Sequence, residues 1–251
     1  MTQQISVNTK ELMPDIKKEY ICWIDIMGTS NVMRESFERA TNFILRFHCF
    51  VNEAIAALTN PRDNQEVKLY PLMDGVYIVT PELDLLTKII FHVYDSLTSY
   101  FVNTQENKHR FMVRGSIAYG DLAHGRDINA NVCTVLHPNT DYKGKLLFGL
   151  PMIQAYNSES QASPMGLYIH ESARSIPKYT PNTQDSIKRI ESLQGRFFYW
   201  WKVQKPSTYP SRIIEEAGKY FDWCSENIFR LKMDTEKIKR YRAQLTEYFH
   251  G

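Results

Sequence analysis

The order of elements read from the sequence predicts an α+β fold, a ferredoxin-like βαββαβ core. Helices would pack on a central, mostly antiparallel sheet, with further helices at the C-terminus. Three observations carry this. Short apolar, β-branched runs end at glycines, and two long stretches repeat apolar residues every three or four positions. Asp74-Gly75 also lies between two apolar runs, the strongest local signal for a hairpin.

Residues 1–17 are polar and unpatterned, with Pro14 set against a helix, and read as a tail. Tyr20-Ile-Cys-Trp-Ile-Asp25-Ile26 is a buried strand closed by Gly28, and Asp25 at its end has no apolar reason to be there. Thr29-Ser30-Asn31 offers capping side chains, and no Gly or Pro follows until Pro61. Phe37, Ala40, Ile44, Phe47, Val51, Ile55 and Leu58 therefore read as the core stripe of one long helix. Two strands, Val67 to Met73 and Val76 to Thr80, flank the Asp74-Gly75 turn. A second helix runs from Glu82 to Phe101, and Arg110 to Tyr119 is a strand closed by Gly120. Val132 to Leu136 reads as a short strand, His137 to Gly144 as a loop, and Leu150 to Glu159 as a helix with Pro151 in its first turn. Gly166 to His170 is strand-like, Arg174 to Asp185 a loop, and Arg196 to Val203 an aromatic strand. Two helices close the chain. Ile213, Ala217, Phe221, Cys224, Ile228 and Leu231 line the first, and Ile238, Tyr241, Leu245 and Tyr248 the second.

Composition narrows the function. The 251 residues are 43% hydrophobic and 23% charged, ordinary for a soluble domain. Thirty basic against 28 acidic residues leave a net charge of +2, which lacks the concentrated positive field that nucleic-acid or membrane-surface binding needs. Cys22, Cys49, Cys133 and Cys224 lie far apart and read as reduced thiols, the chain begins without a signal-peptide pattern, and no apolar run is long enough to span a bilayer. A cytoplasmic protein is expected.

The chemistry-bearing residues sit at strand ends. Asp25 ends the first strand, and Asp74 occupies the tip of the hairpin that would pair beside it. Two carboxylates and a backbone carbonyl at one sheet edge suit Mg²⁺, which is commonly held by one or two carboxylates plus substrate phosphates. Met27-Gly28-Thr29-Ser30 leads into a helix start, whose free N–H groups favour an anion. A metal clamp beside an anion nest suits a nucleoside triphosphate. The same residues are equally the sequence of a plain turn and a strand-to-helix connection. The seven histidines form no ligand-spaced pair, and neither a Ser-His-Asp elbow nor a Walker loop occurs. The Tyr199-Trp200-Trp201 cluster reads as core or interface, and Lys143 and Lys145 as a solvated loop.

Four blocks, in order, resemble the class III nucleotidyl cyclases. Trp23-Ile-Asp25-Ile26-Met27-Gly28-Thr29-Ser30 resembles the first metal motif, and Leu69-Tyr70-Pro71-Leu72-Met73-Asp74-Gly75-Val76-Tyr77-Ile78 the hairpin with the second metal Asp. Val113-Arg114-Gly115-Ser116-Ile117-Ala118-Tyr119-Gly120 resembles the Arg-x-Gly-Ile-His-x-Gly strand. Phe148-Gly149-Leu150-Pro151-Met152-Ile153-Gln154-Ala155-Tyr156-Asn157 matches the family's catalytic helix in position. The resemblance covers roughly residues 18 to 170 and implies a cyclase homology domain over 18–205, with a C-terminal helical extension over 206–251.

It also implies roles. Asp25, Asp74 and the Ile26 carbonyl would hold two Mg²⁺ or Mn²⁺ ions, and Gly28, Thr29 and Ser30 would bind phosphate. A homodimer would form sites at its interface, with Asn157 contributed across it. The departures are specific. The family's helix Asn falls on Ile153 and its transition-state Arg on Asn157, with Arg114 and Arg196 as candidate substitutes. The purine-reading Lys falls on Tyr70 and the purine-reading Asp on Leu146. Loss of both purine-selecting groups makes the chain most similar to the pyrimidine cyclases of Pycsar anti-phage systems. These imply UTP, then CTP, as substrate, cyclic UMP or cyclic CMP as product, and a cyclic-nucleotide-binding effector downstream. A cyclase-like nucleotide sensor without catalysis is the alternative.

Overall fold

The computed structural model describes residues 14–58, 67–128, 140–174, 193–203 and 209–250. Val132 to Leu136, and residues 175–185 of the Arg174 to Asp185 loop, lie outside them. Strand β1 (Ile16–Ile26) and strand β4 (Val113–His124) pair antiparallel along their whole length and form the centre of the sheet. The hairpin of β2 (Lys68–Leu72) and β3 (Gly75–Thr80) extends it on one side, with β3 against β1. On the other side stand β6 (Leu167–Ile169), β8 (Phe197–Phe198) and β7 (Leu193–Gln194). A short β5 (Leu147–Phe148) pairs with the end of β4. All pairings are antiparallel except β4 with β6, so the expected mostly antiparallel sheet is what forms.

One face of the sheet packs against α2 (Phe37–Leu58) and α3 (Leu83–Asn103), amphipathic helices whose stripes supply Phe43, Phe47, Leu86, Ile90 and Leu97 to the core. The C-terminal helices α7 (Tyr209–Glu226), α8 (Ile228–Leu231) and α9 (Thr235–His250) join the same core through Ile213, Phe221, Leu231 and Leu245. The opposite face carries a smaller core of Ile21, Trp23, Tyr70, Tyr77, Val79 and Ala118, covered by α5 (Leu150–Ser158). Among the described residues no helix is long and apolar enough to cross a membrane.

Several boundaries differ from expectation, each for a local reason. The tail ends sooner, because Ile16 and Lys17 find partners in Ala123 and Leu122 of the long β4. The first helix is two: α1 (Thr29–Glu35) stops at Ser36, whose backbone is extended and whose hydroxyl accepts the Arg39 N–H at 3.2 Å to start α2. Gly120 does not end β4; it sits inside it at φ 152°, where Pro151 of α5 presses on the strand. The hairpin loop is Met73-Asp74 rather than Asp74-Gly75, with Leu72 opposite Gly75 and Met73 at φ 55°. Gly75 belongs to β3 and must be glycine, since a Cβ there would lie 2.3 Å from the Trp23 ring. The part of the His137 to Gly144 loop that is described is a short helix, α4 (Thr140–Gly144), and α6 (Glu171–Arg174) follows β6. The aromatic strand shrinks to Phe197–Phe198 before a helical turn, because Trp200 buries its indole to donate to the Met165 carbonyl at 2.9 Å. Asn227 divides the penultimate helix into α7 and α8.

Candidate active site

Alternation along β1 points Glu19, Ile21, Trp23 and Asp25 to the face that α5 covers. The middle of that face is aromatic: the Trp23 ring centroid lies 4.5 Å from that of Tyr77 and 5.7 Å from that of Tyr156. The two ends are charged, and they differ.

At the α1 end, Asp25 is half-buried, and its pKa is raised to about 7. Burial is the main cause, with the negative charges of Asp74 and Glu159 adding to it; Arg114 and the Ile26 amide act in the opposite direction. The two predicted metal carboxylates are thus electrostatic neighbours. Strand pairing brings them together: Asp25 stands opposite Gly75, and the Ile26 N–H donates to the Asp74 carbonyl at 3.3 Å. Glu159, which follows α5, was not singled out by the sequence. Its carboxylate is ion-paired with Arg114, yet burial raises its pKa. Among the described residues Arg114 is the cation that acts on both Asp25 and Glu159, against the negative charge of Asp74 on each of them.

The turn after β1 is set by Gly28 at φ 78°, in the left-handed region where a side chain is disfavoured. The Gly28 carbonyl accepts the N–H groups of Asn31 and Val32 at 3.0 and 3.2 Å. Among the described residues the amides of Gly28, Thr29 and Ser30 have no backbone acceptor, as at any helix start. Thr29 is buried and its hydroxyl donates to the Ile26 carbonyl at 3.1 Å, leaving that oxygen one further lone pair; Ser30 is exposed.

At the other end, Tyr70 is buried, and its ring stacks on His124 with the phenol 2.5 Å from Nδ1. His124 Nε2 meets the Glu19 carboxylate, which also accepts from Lys68 Nζ at 2.8 Å. The guanidinium of Arg126 lies 5.7 Å over the Tyr70 ring. Leu146, just before β5, reaches the neighbouring residue, its carbonyl accepting the Gly125 N–H at 2.8 Å. The predicted base-reading residues Tyr70 and Leu146 therefore meet at His124–Gly125. Asn157 and Ile153 lie exposed on α5. Arg114 is held by Glu159, and Lys143 is turned back to the Ile128 carbonyl.

A cavity of about 270 Å³ opens beside Asp25, bounded by Gly28 and Asn31 on the sheet side and by residues of α8, α9 and their connection on the other.

No protein-family model matches the chain, and no curated protein matches it. Solved structures do. A bacterial light-regulated adenylyl cyclase superposes with a TM-score of 0.51 at 14% identity, over 66% of this chain and 47% of that one. A second structure of a bacterial light-regulated adenylyl cyclase gives 0.51 at 13% identity, over 82% and 58%. The chain has the cyclase homology fold. It spans about half the length of those two proteins. The monomeric guanylyl cyclase domain of the RhoGC fusion protein from the aquatic fungus Blastocladiella emersonii scores 0.48 at 14% identity, over 64% of this chain and 85% of that one. In the cyclase fold seen here, Asp25 and Asp74 occupy the end of the central strand and the tip of the hairpin beside it.

Proposed function

We propose that this chain is a nucleotidyl cyclase that converts UTP to 3′,5′-cyclic UMP and pyrophosphate at the Asp25–Asp74 edge. The observation that carries the proposal is the unbalanced acid cluster, in which Asp25 is pushed up to about 7 chiefly by burial and then by Asp74. Buried carboxylates with too few cations fit a divalent ion that would supply the missing positive charge. Among the described residues no three His, Cys, Asp or Glu side chains converge on one point, so Mg²⁺ or Mn²⁺ here would draw the rest of its shell from substrate phosphates and water. Asp25, Asp74 and the Ile26 carbonyl would hold two such ions, which when bound acidify the ribose 3′-OH and neutralise the triphosphate.

The chain's own residues would then position the reaction. Gly28, Thr29 and Ser30 would present amides to the phosphates, and Asp25 and Asp74 would hold the ions that bring the α-phosphate to this edge for in-line attack by the 3′-OH. Tyr70 and Leu146, which fall on the family's purine-reading positions in sequence, would favour the smaller pyrimidine ring. Leu72, Met73, Leu150, Ile153 and Tyr156 are large apolar side chains left exposed on the α5 side. They support a homodimer in which Asn157 completes the partner's site. The likeness to Pycsar cyclases extends the proposal to second-messenger signalling in anti-phage defence, through an effector that binds the product.

The test is a product assay with ATP, GTP, CTP and UTP, each with Mn²⁺, resolved by mass spectrometry. Cyclic UMP from the wild type, and none from Asp25→Ala, is the expected result. Cyclic CMP would keep the mechanism and change the substrate, and a purine product would overturn the pyrimidine reading. Asn157 and Ile153, in place of the family's Arg and Asn, favour a second reading as a nucleotide sensor without catalysis. Silence from all four substrates in Mg²⁺ and Mn²⁺ would select it.

A further inference from the structure

The C-terminal helices stand against the catalytic edge. The cavity beside Asp25 has Gly28, Asn31 and Arg114 on its sheet side and Lys232, Lys237 and Tyr241 on its C-terminal side. The connection that carries Lys232 is fixed to α1: Asn31 Nδ2 donates to the Lys232 carbonyl at 3.5 Å, and Arg230 of α8 pairs with Glu35. Lys232 holds φ 46°, a left-handed conformation disfavoured for a non-glycine residue. It ends α8, and the Met233 N–H bonds back to the Ile228 carbonyl at 3.2 Å. Lys237 lies over the Tyr241 ring, 5.6 Å from its centroid, and the Arg114 guanidinium lies 6.0 Å from the same centroid.

The charges around this space are unequal in kind. Arg114 is taken by Glu159, and the Asp234 carboxylate accepts the Glu236 N–H at 2.9 Å where α9 begins. Among the described residues Lys232 and Lys237 make no ion pair, and both are exposed. Two ammonium groups without a carboxylate partner therefore line the same space as Asp25. With Asp25 on one side and Lys232 and Lys237 on the other, the space suits a metal-bound polyphosphate, with metal toward Asp25 and phosphate oxygens toward the lysines.

We infer that Lys232 and Lys237 bind the β- and γ-phosphates of the substrate, so that the C-terminal helices supply part of the active site within the same chain. This rests on the cyclase reading. It gives the extension a chemical role as well as a packing one, and the pyrophosphate leaving group is what these lysines would hold.

The experiment is calorimetric titration of inorganic tripolyphosphate, with Mn²⁺ present, into the full chain and three variants. The wild type binds. Lys232→Ala/Lys237→Ala weakens binding by about 10-fold for each lysine, the strength of a charge-assisted hydrogen bond, and Lys232→Arg/Lys237→Arg restores most of it. Asp25→Asn instead removes the dependence on Mn²⁺. Unchanged binding by the double alanine variant overturns the inference, whether or not the wild type turns over UTP. Cyclic-nucleotide formation, followed in the same preparations, judges the cyclase reading separately, and a wild type that binds no tripolyphosphate overturns the inference as well. Both lysines are exposed, so thermal unfolding of the double variant should match the wild type and exclude misfolding as the cause.

Discussion

Glu19 and Asp25 lie six residues apart on one strand and point to one face, yet their environments do opposite things to them. Burial raises both. At Glu19 the hydrogen bonds and charges of His124 and Lys68 overcome it and hold the carboxyl below its ordinary range. At Asp25 the nearest charges are mostly of the same sign, and the carboxyl rises to about 7. A buried acid with its partners in place is structural. On the cyclase reading, one whose partners are missing is kept for a ligand, because that arrangement costs stability and persists where binding offsets it.

The largest effect should come from the satisfied end. Lys68→Ala leaves Glu19 buried against His124 alone, and loss of one partner of such a pair costs about 3–5 kcal/mol. Chemical denaturation should show it. A cost under about 1 kcal/mol would mean that water reaches Glu19 and that the contrast is false.

Next comes Asp25, with the opposite sign. Its folded pKa of about 7 lies above the unfolded value, so its contribution to stability is complete below about pH 4 and is lost as pH rises through 7. Glu19 behaves in reverse: its contribution is present above the unfolded value and is lost as pH falls through the lowered one. In EDTA at pH 8, Asp25→Asn should therefore stabilise the protein by about 2 kcal/mol, and the gain should vanish near pH 4. A variant less stable than the wild type at pH 8 would show that the carboxylate is already compensated.

The smallest effect concerns the hairpin tip that carries Asp74. Met73 is exposed and left-handed, so Met73→Gly should stabilise by about 1 kcal/mol while leaving metal affinity unchanged. Weaker metal binding in that variant would show that the strained turn positions Asp74.

The contrast also explains what the sequence revealed. Asp25 drew notice as a carboxylate at the end of an apolar strand, and the hairpin that carries Asp74 was legible from Asp74-Gly75 between two apolar runs. The sheet was legible from the apolar runs that build β1, β3 and β4. Lys68, Glu19 and His124 were not, because their contacts join residues 49 and 105 apart, which no local pattern encodes. Glu159 was hidden for the same reason, 45 residues from Arg114. Ser36 broke a helix without a Gly or Pro to announce it, since an extended backbone and one hydroxyl sufficed. The C-terminal wall of the cavity depends on a contact between Asn31 and Lys232, 201 residues away, and only the fold shows it.

The most direct measurement is the thermal unfolding of wild type, Asp25→Asn and Asp74→Asn at pH 8, with and without Mn²⁺. An acid cluster awaiting a cation predicts that Mn²⁺ raises the midpoint of the wild type by several degrees, as about 1–2 kcal/mol of binding would in a chain of this size. It also predicts that neither variant responds to the same degree. A wild type indifferent to Mn²⁺, or variants that gain as much as it does, would contradict a metal site at the Asp25–Asp74 edge.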